Sequence, residues 1–436
     1  MSFPRYPAYK DSGVEWLGNV PEHWTTSKLG FETWVRARLG WKGLKADEYV
    51  DEGFAFLSTP NIKGAEIDFE NVNFISQLRF DESPEIRLTQ GDVLLAKDGS
   101  TLGIVNVIRR LPRPTTVNSS IAVITPQESL DSVFLFYLLA GSGMQQVIQQ
   151  KKGGMGVPHL FQADLVKFQI PIPPKSEQYA LAIFLDRETA KIDALIAEQQ
   201  RLIELLQEKR QAVISHAVTK GLNPNAPMKD SGVEWAKKLP EHWTSKHLKR
   251  NVRLLTEKTE TTECPVGLEN LEGWTGRFIQ TESDFQSEGV GFEADDILFG
   301  KLRPYLAKVW LADRNGEAIG DFHVLRPYER VNPRFIQYQL LTREVVDLVD
   351  GSSYGAKMPR ASWGFLGCLE MPSPPAEEQL AIACFLDRET AKIDALIAEA
   401  PRAIKLLQGR RSALISAAVT GQIDVRGLVE AEAGEQ

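Results

Sequence analysis

Two stretches of the chain carry apolar residues at helical spacing over about 40 positions each. In the first, Leu185, Ile192, Leu195, Ile196, Leu202, Ile203, Leu206 and Val213 recur every three or four residues. That is one stripe on a helix about 60 Å long at roughly 1.5 Å per residue. In the second, the stripe returns at Leu386, Ile393, Leu396 and Leu407. A Pro-Pro pair followed by Glu177, and another followed by Glu377 and Glu378, predict the helix starts; Gly221 and Gly421 predict the stops. A narrow stripe on so long a rod needs cover, and the simplest cover is the other rod, giving an antiparallel pair within one chain. The alternative is two amphipathic helices, each packed on its own domain. Pro401 falls inside the second stretch, where the first has Gln200. A proline there removes a backbone hydrogen bond at a cost of about 3 kcal/mol, and predicts a bent helix whose stripe resumes at Ile404 and Leu407.

The regions before each rod, about 25–170 and 244–371, have a different pattern. Short β-branched and aromatic runs broken by Gly, Pro, Asn and Asp predict strands, among them GDVLLAK (91–97), SSIAVITP (119–126), DDILFGK (295–301) and DFHVLRP (321–327). Each region then turns helical, at 132–150 and 333–349. The expected fold class is α+β, with two mixed α/β domains separated by two long antiparallel helices.

The chain is also a duplication. FLDRETAKIDALIAE (184–198) returns without a change at 385–399, an offset of 201 positions. PIPPKSEQ (171–178) matches PSPPAEEQ (372–379), and LLQEKRQAVISHAVT (205–219) matches LLQGRRSALISAAVT (406–420). A second repeat, KDSGVEW followed by PEHW, lies at 10–24 and 229–243 with an offset of 219, so the second variable region is shorter by 18 residues. Trp16, Trp24, Trp235 and Trp243 are expected to anchor this opening motif, and His23 and His242 to be structural. Between the variable regions only faint likeness remains: Gly91 to Lys97 parallels Asp295 to Lys301, and Gly154 to His159 parallels Gly355 to Arg360. A frame was kept while its inserts diverged.

Composition adds limits. With 43% hydrophobic and 25% charged residues in 436, the chain is expected to be soluble, globular and large enough for two or three domains. No apolar run approaches a membrane span and the N-terminus lacks a signal-peptide core. Three scattered cysteines, Cys264, Cys368 and Cys384, suggest a reducing compartment and neither disulfides nor zinc. The net charge of −8 argues mildly against nucleic acid, but basic clusters exist locally. There is no phosphate-binding loop of the G-x-x-x-x-G-K-(S/T) type and no Asn-Pro-Pro-aromatic string, which disfavours an ATP motor or an adenine methyltransferase. Asp92, Asp98, Asp295 and Asp296 could be imagined as nuclease ligands, although strand-edge carboxylates more commonly serve structure.

Taken together, the FLDRETAKIDALI starts, the LLQ…IS…AVT ends, the KDSGVEW…PEHW opening and the GDVLLAK-DGS segment make the chain resemble the specificity subunit of a type I restriction–modification system. The resemblance runs from about residue 8 to 425. It implies a first target-recognition domain at 1–174 with its opening motif at 9–24, and a spacer helix at 175–220. It then implies a second domain at 221–375 with its motif at 228–243, and a second helix at 376–423; 424–436 is an acidic tail expected to be disordered. Such a subunit is a non-catalytic, cytoplasmic DNA reader. Each domain reads half of an asymmetric bipartite site in double-stranded DNA, and the helix pair sets the spacing and docks two methyltransferase subunits, with restriction–translocase subunits joining. S-adenosylmethionine, ATP and Mg2+ belong to those partners. The alternatives are a self-contained nuclease or methyltransferase, or a scaffold that never touches DNA.

Phosphates call for Lys, Arg or Gly-rich turns, and base edges for polar side chains that reach a groove. In the first domain the candidates are Lys97, Ser100, Thr101, Asn118, Ser119, Lys151, Lys152, Gly154, Gly156 and His159. In the second they are Lys301, Arg303, Tyr305, Tyr354, Lys357 and Arg360, with Arg360 the expected base reader. For partner docking the candidates are Leu185, Ile192, Leu195, Leu206, Leu386, Ile393, Leu396 and Leu407.

Overall fold

The computed structural model describes residues 3–38, 44–153, 158–259, 264–281, 288–355 and 357–428. The chain forms two compact units, 1–198 with 403–436 and 199–402. Each is α+β, as expected.

In the first unit an antiparallel sheet runs in the order Thr33–Arg36, Ile121–Pro126, Val93–Ala96, Val105–Val107. The strand Val93–Ala96 is buried at all four positions because both of its faces are covered. Its side chains divide by the pleat: Val93 and Leu95 pack with the helix Ser132–Ala140, while Leu94 and Ala96 pack toward Leu57 and Ile62 of a smaller layer. The second unit repeats this order with Val252–Leu255, Phe322–Pro327, Ile297–Gly300 and Val309–Leu311. Its Ile297 and Phe299 face Phe335 and Ile336, and Leu298 faces Val266 and Leu271.

The long helices span Lys175–Lys220 and Ala376–Val419. The first unit holds 175–198 of one and 403–419 of the other, and the second unit holds the complementary pieces. In the first unit Arg411 Nε donates to Asp193 Oδ1 at 2.9 Å. In the second, Arg210 Nε donates to Asp394 Oδ1 at 2.9 Å. Asp193 and Asp394 are the same letter of the repeated string, so in both units it ties one long helix to the other.

The other repeated letters have matching jobs. In the first unit Glu177, at the start of a long helix, accepts from Trp24 Nε1 at 2.8 Å and Tyr6 Oη at 3.1 Å, and lies 2.6 Å from His23 Nε2. Trp24 also packs on Gly421, just past the end of the other long helix. Gly421 has φ +75°, and a Cβ there would lie 2.2 Å from Pro21 Cδ. One helix start and the other helix end therefore meet at one tryptophan, which is the antiparallel pairing. In the second unit Glu378 accepts from Trp243 Nε1 at 2.9 Å and lies 2.6 Å from His242, and Trp243 faces Gly221 at φ +74°. Only glycine adopts that left-handed stop without strain. Asp186 and Asp387 accept from Tyr137 Oη at 2.8 Å and Tyr338 Oη at 2.6 Å, which docks each domain helix onto a long helix. Trp16 and Trp235 donate to the carbonyls of Gln169 and Glu370.

The helix Ala376–Val419 runs through Pro401 as one element. Two expectations change. The docking stripe is largely internal: Leu185, Ile192, Leu206, Leu386 and Ile393 are buried and Leu407 is partly buried, so only Leu195 and Leu396 remain exposed. A stripe at core spacing closes on the chain's own units first. Leu202 of the stripe is exposed as well, and so are Leu205 and Leu406, which are not part of it. The tail is ordered at its start. Val425 is fully buried, Asp424 N donates to Pro4 O at 2.9 Å, and Arg426 pairs with Asp424 at 2.7 Å; 429–436 lie outside the described residues.

The two cross-helix ion pairs differ in burial. Arg210 and Asp394 are enclosed, and Arg210 also donates to the carbonyls of Trp274 and Thr275, whereas Arg411 and Asp193 are about a third or more exposed. Arg210→Ala is expected to lower unfolding free energy by about 2–4 kcal/mol, because two carbonyls lose their donor and the enclosed Asp394 is left with Arg277 alone. Arg411→Ala should cost about 1 kcal/mol or less. Urea denaturation of the full chain checks this; equal losses would contradict it.

Candidate nucleic-acid interface

In the first unit the buried strand Val93–Ala96 delivers Lys97 to a turn that two other segments close. Lys97 N donates to Ser120 O at 2.8 Å, Leu160 N donates to Lys97 O at 2.9 Å, and Gly99 N donates to Pro158 O at 2.9 Å. Gly99 has φ +67°, a conformation that favours glycine. Gly153 and His159 exchange both backbone hydrogen bonds at 2.9 Å, which pinches the loop between them. The His159 ring contacts the Asp98 carboxylate through Nδ1 and stacks edge-on with exposed Phe161, 4.6 Å between centroids. Lys97, Ser100, Thr101, Asn118, Ser119 and His159 are therefore gathered on one rim. Exposed Lys151 and Lys152 end the helix Ser142–Lys151, two residues before the pinch. Gly154 and Gly156 lie outside the described residues.

The second unit builds the same junction. Lys301 N donates to Asp321 O at 2.9 Å, Ala361 N to Lys301 O at 2.8 Å, and Arg303 N to Pro359 O at 2.8 Å. Tyr354 and Arg360 exchange backbone bonds at 3.4 and 3.1 Å, in the place of Gly153 and His159. Arg303 occupies the position of Gly99 and, at φ +52°, keeps its left-handed backbone without being glycine. Lys357 and Tyr354 are exposed. Tyr305 is exposed too, but it lines a groove of about 1270 Å³ with Glu204, Glu208 and Glu272 among its walls. Arg210, Lys220, Arg277 and Arg343 line the same groove, so its charge is mixed.

Arg360 has a partner that the sequence did not show. Its Nε and Nη2 already bind Asp321 Oδ1 and Oδ2 at 3.1 and 3.0 Å, and the Asp321 carboxylate holds its pKa above the usual arginine value. The side edge of the guanidinium is occupied, and only the end edge, Nη1 with Nη2, is left to present two donors. Asp321 went unseen in the sequence because it lies 39 residues from Arg360 with no motif linking them. The carboxylate has also changed sides: Asp98, the partner of His159, stands where the second unit has Leu302, and Asp321 stands where the first has Ser120.

The carboxylates weighed as nuclease ligands serve the frame. Asp92 is fully buried and accepts from Arg36 Nη2 at 2.8 and 2.9 Å and from Thr89 N at 2.7 Å. Asp296, also buried, accepts from Arg326 Nε and Nη2 at 2.8 and 2.7 Å, and that pairing raises the Arg326 pKa. Among the described residues no group of three or more His, Cys, Asp and Glu is set to hold a metal ion, and no helix is long and apolar enough to cross a membrane.

What these two junctions define is a duplicated recognition scaffold, and known proteins of that kind match the chain. The family model for the type I restriction modification DNA specificity domain matches residues 44–205. The type I restriction enzyme EcoDI specificity subunit of Escherichia coli is 22% identical over 95% of this chain and 91% of its own. The MjaVIII specificity subunit of Methanocaldococcus jannaschii is 24% identical over 94% and 95%. In fold, the chain resembles a subunit of a type I restriction–modification system solved in a study of its assembly, with TM-score 0.65 at 17% identity over 92% of this chain and 98% of that one. It also resembles the HsdS subunit from Thermoanaerobacter tengcongensis, with TM-score 0.52 at 15% identity over 93% and 98%. In sequence along nearly its whole length, and in fold, the chain is similar to the specificity subunits of type I restriction–modification systems.

Asp321→Ala should free Arg360 without unfolding the unit, since the backbone bonds of Arg360 do not use its side chain. Hydrogen exchange is expected to speed up at the amides of Tyr354 and Arg360 and to stay unchanged at Ile297–Gly300. Unchanged exchange at Arg360 would mean that Asp321 does not hold the loop.

Proposed function

We propose that the chain is the non-catalytic DNA-specificity subunit of a type I complex, and that its two units read the two halves of an asymmetric site in double-stranded DNA. The observation that carries this reading is the junction built twice on one backbone pattern with different side chains. His159 and Arg360 project from equivalent positions, and each meets a carboxylate, Asp98 or Asp321, on the opposite side of the turn from the other's. A constant support with variable tips is what two different half-sites require. Lys97, Lys151, Lys152, Lys301, Arg303 and Lys357 supply cations for phosphates around those tips.

The helix pair, in this reading, sets the half-site spacing. Two methyltransferase subunits dock on exposed leucines of the long helices, among them Leu195, Leu202, Leu396 and Leu406, with restriction–translocase subunits joining them. S-adenosylmethionine, ATP and Mg2+ act in those partners, in the cytoplasm. The commitment of Asp92 and Asp296 to arginines works against a self-contained nuclease, and the basic rims against a scaffold that ignores DNA.

The test uses the chain assembled with its methyltransferase subunits. Lys151→Ala with Lys152→Ala should weaken binding to all sequences alike and lower the log–log salt slope by about one unit per lost phosphate contact. Arg360→Ala should relax one position of one half-site, with about tenfold or greater loss on the cognate site. Co-purification of the partners should survive both changes. Loss of assembly would assign these loops to the scaffold, and unchanged DNA affinity with intact assembly would place the DNA contacts elsewhere.

The spacing has its own test. Four residues inserted after Glu198 and four after Glu399 add about 6 Å and about one turn to each rod. The methylated motif should keep both half-sites and widen its unread gap by about two base pairs at roughly 3.4 Å each. An altered half-site with an unchanged gap would contradict the spacing role.

A further inference from the structure

A cationic pocket in the second unit belongs to no part of the reading rim. It encloses about 820 Å³ and is lined by Lys246, Arg250 and Arg330. All three are exposed and have no hydrogen-bond or ion-pair partner among the described residues. They come from separate segments that are fastened together by hydrogen bonds. Lys246 lies on the strand Thr244–His247, and Arg250 ends the short helical turn that follows. Tyr328 N donates to Asn251 O at 3.0 Å, which brings in the loop that carries Arg330. Buried Gln379 closes the other side: Asn332 N donates to its Oε1 at 2.9 Å, and its Nε2 donates to Pro374 O at 2.9 Å. His242, also on the wall, is taken up by Glu378, and one carboxylate, Glu329, shares the lining with the three cations.

The first unit builds the same support with the opposite charge. Gln127 N donates to Glu32 O at 2.9 Å, and Asp131 N donates to Gln178 Oε1 at 2.7 Å. By those matching bonds Lys246, Arg250, Asn251 and Arg330 stand where the first unit has Ser27, Phe31, Glu32 and Ser129. There Glu32 accepts from Ser27 Oγ at 2.6 Å and from Ser129 Oγ at 2.5 Å. Two positions that converge on a carboxylate in one unit therefore both carry cations in the other, and the carboxylate has become an amide. Glu329 is no part of that change, since the first unit has Glu128 in its place. Three like charges gathered without a partner repel one another, and an oxyanion between them offsets that cost.

The pocket is also remote from the rim. It lies at the Pro327 end of the strand Phe322–Pro327, whereas Asp321 of the rim precedes the other end. Those ends are about 20 Å apart at roughly 3.3 Å per residue. A partner that docks once on each unit would meet a carboxylate in one and three cations in the other, so the occupant serves the second unit alone.

We propose that this pocket is an oxyanion site that takes a phosphate group, either of a free polyphosphate or of DNA outside the half-site. The planar forks of Arg250 and Arg330 suit phosphate oxygens, and Lys246 adds a point charge. The site stands apart from the DNA reading of the rim, none of whose residues line it.

Calorimetric titration of the full chain with pyrophosphate tests the free source. One pyrophosphate per chain should bind, more weakly as salt is raised. The triple change Lys246→Ser, Arg250→Phe and Arg330→Ser installs residues that the same backbone carries in the first unit, and should weaken binding by about tenfold or more. Lys301→Ala with Lys357→Ala, at the rim, should leave it unchanged. Should the triple variant fail to fold, Arg330→Ser alone carries the test, because the bonds that hold its loop do not use its side chain. For the DNA source, the chain assembled with its methyltransferase subunits is titrated against salt. The triple change should lower the log–log slope by about one unit per lost contact and leave the methylated motif as it was. A response in either assay that the triple change removes upholds the site and identifies the source. No such response in either assay overturns it, and so does an octaglutamate peptide that binds more tightly than pyrophosphate, which would assign the pocket to an acidic protein segment.

Discussion

Each unit depends on one carboxylate at the start of a long helix. Glu177 gathers Trp24, Tyr6 and His23, and Trp24 in turn rests on Gly421 beyond the end of the other long helix. A single acceptor thereby joins the opening motif, one helix start and the opposite helix end. Glu378 does the same with Trp243, His242 and Gly221. Charge-assisted bonds to a carboxylate are stronger than neutral ones. Glu177 is buried and Glu378 is 40% exposed, yet each joins the same three elements, and the Trp, His and Glu are retained in both copies while almost everything between them has changed.

Freedom to vary follows from that frame. Once the helix ends and the sheet order are held, the tips of the junction need only keep their backbone bonds, and those are indifferent to side chains. His159 and Arg360 therefore differ, and their carboxylate partners sit on opposite sides of the turn. The arginines that neutralise the buried aspartates have moved as well. Arg36 reaches Asp92 from an edge strand, whereas Arg326 reaches Asp296 from the neighbouring strand. In both units the charge is compensated; the position that does it is not preserved.

Much of this was legible in the sequence because it repeats. The rods, their glycine stops, the tryptophan anchors and the correspondence of 91–97 with 295–301 all rest on local patterns or on identical strings. Long-range pairings were not. Nothing near Arg360 announces Asp321, and nothing in a stripe of leucines tells whether its cover is a partner or the chain's own core. Leu185 and Leu386 went inside, and Leu195 and Leu396, on the same stripe, stayed out. The acidic composition of 425–436 hid Val425, a single buried residue that pins the start of the tail.

The central claim is that equivalent supports carry independent readers, and a domain exchange addresses it most directly. A chain whose 244–371 segment is replaced by a second copy of 25–170, with both opening motifs and both long helices kept, is assembled with the methyltransferase subunits, and its methylated bases are sequenced. The account predicts a symmetric site, with the first half-site present twice in inverted orientation. An asymmetric site that retains the original second half would contradict it, since that half would then be read by something other than the second unit.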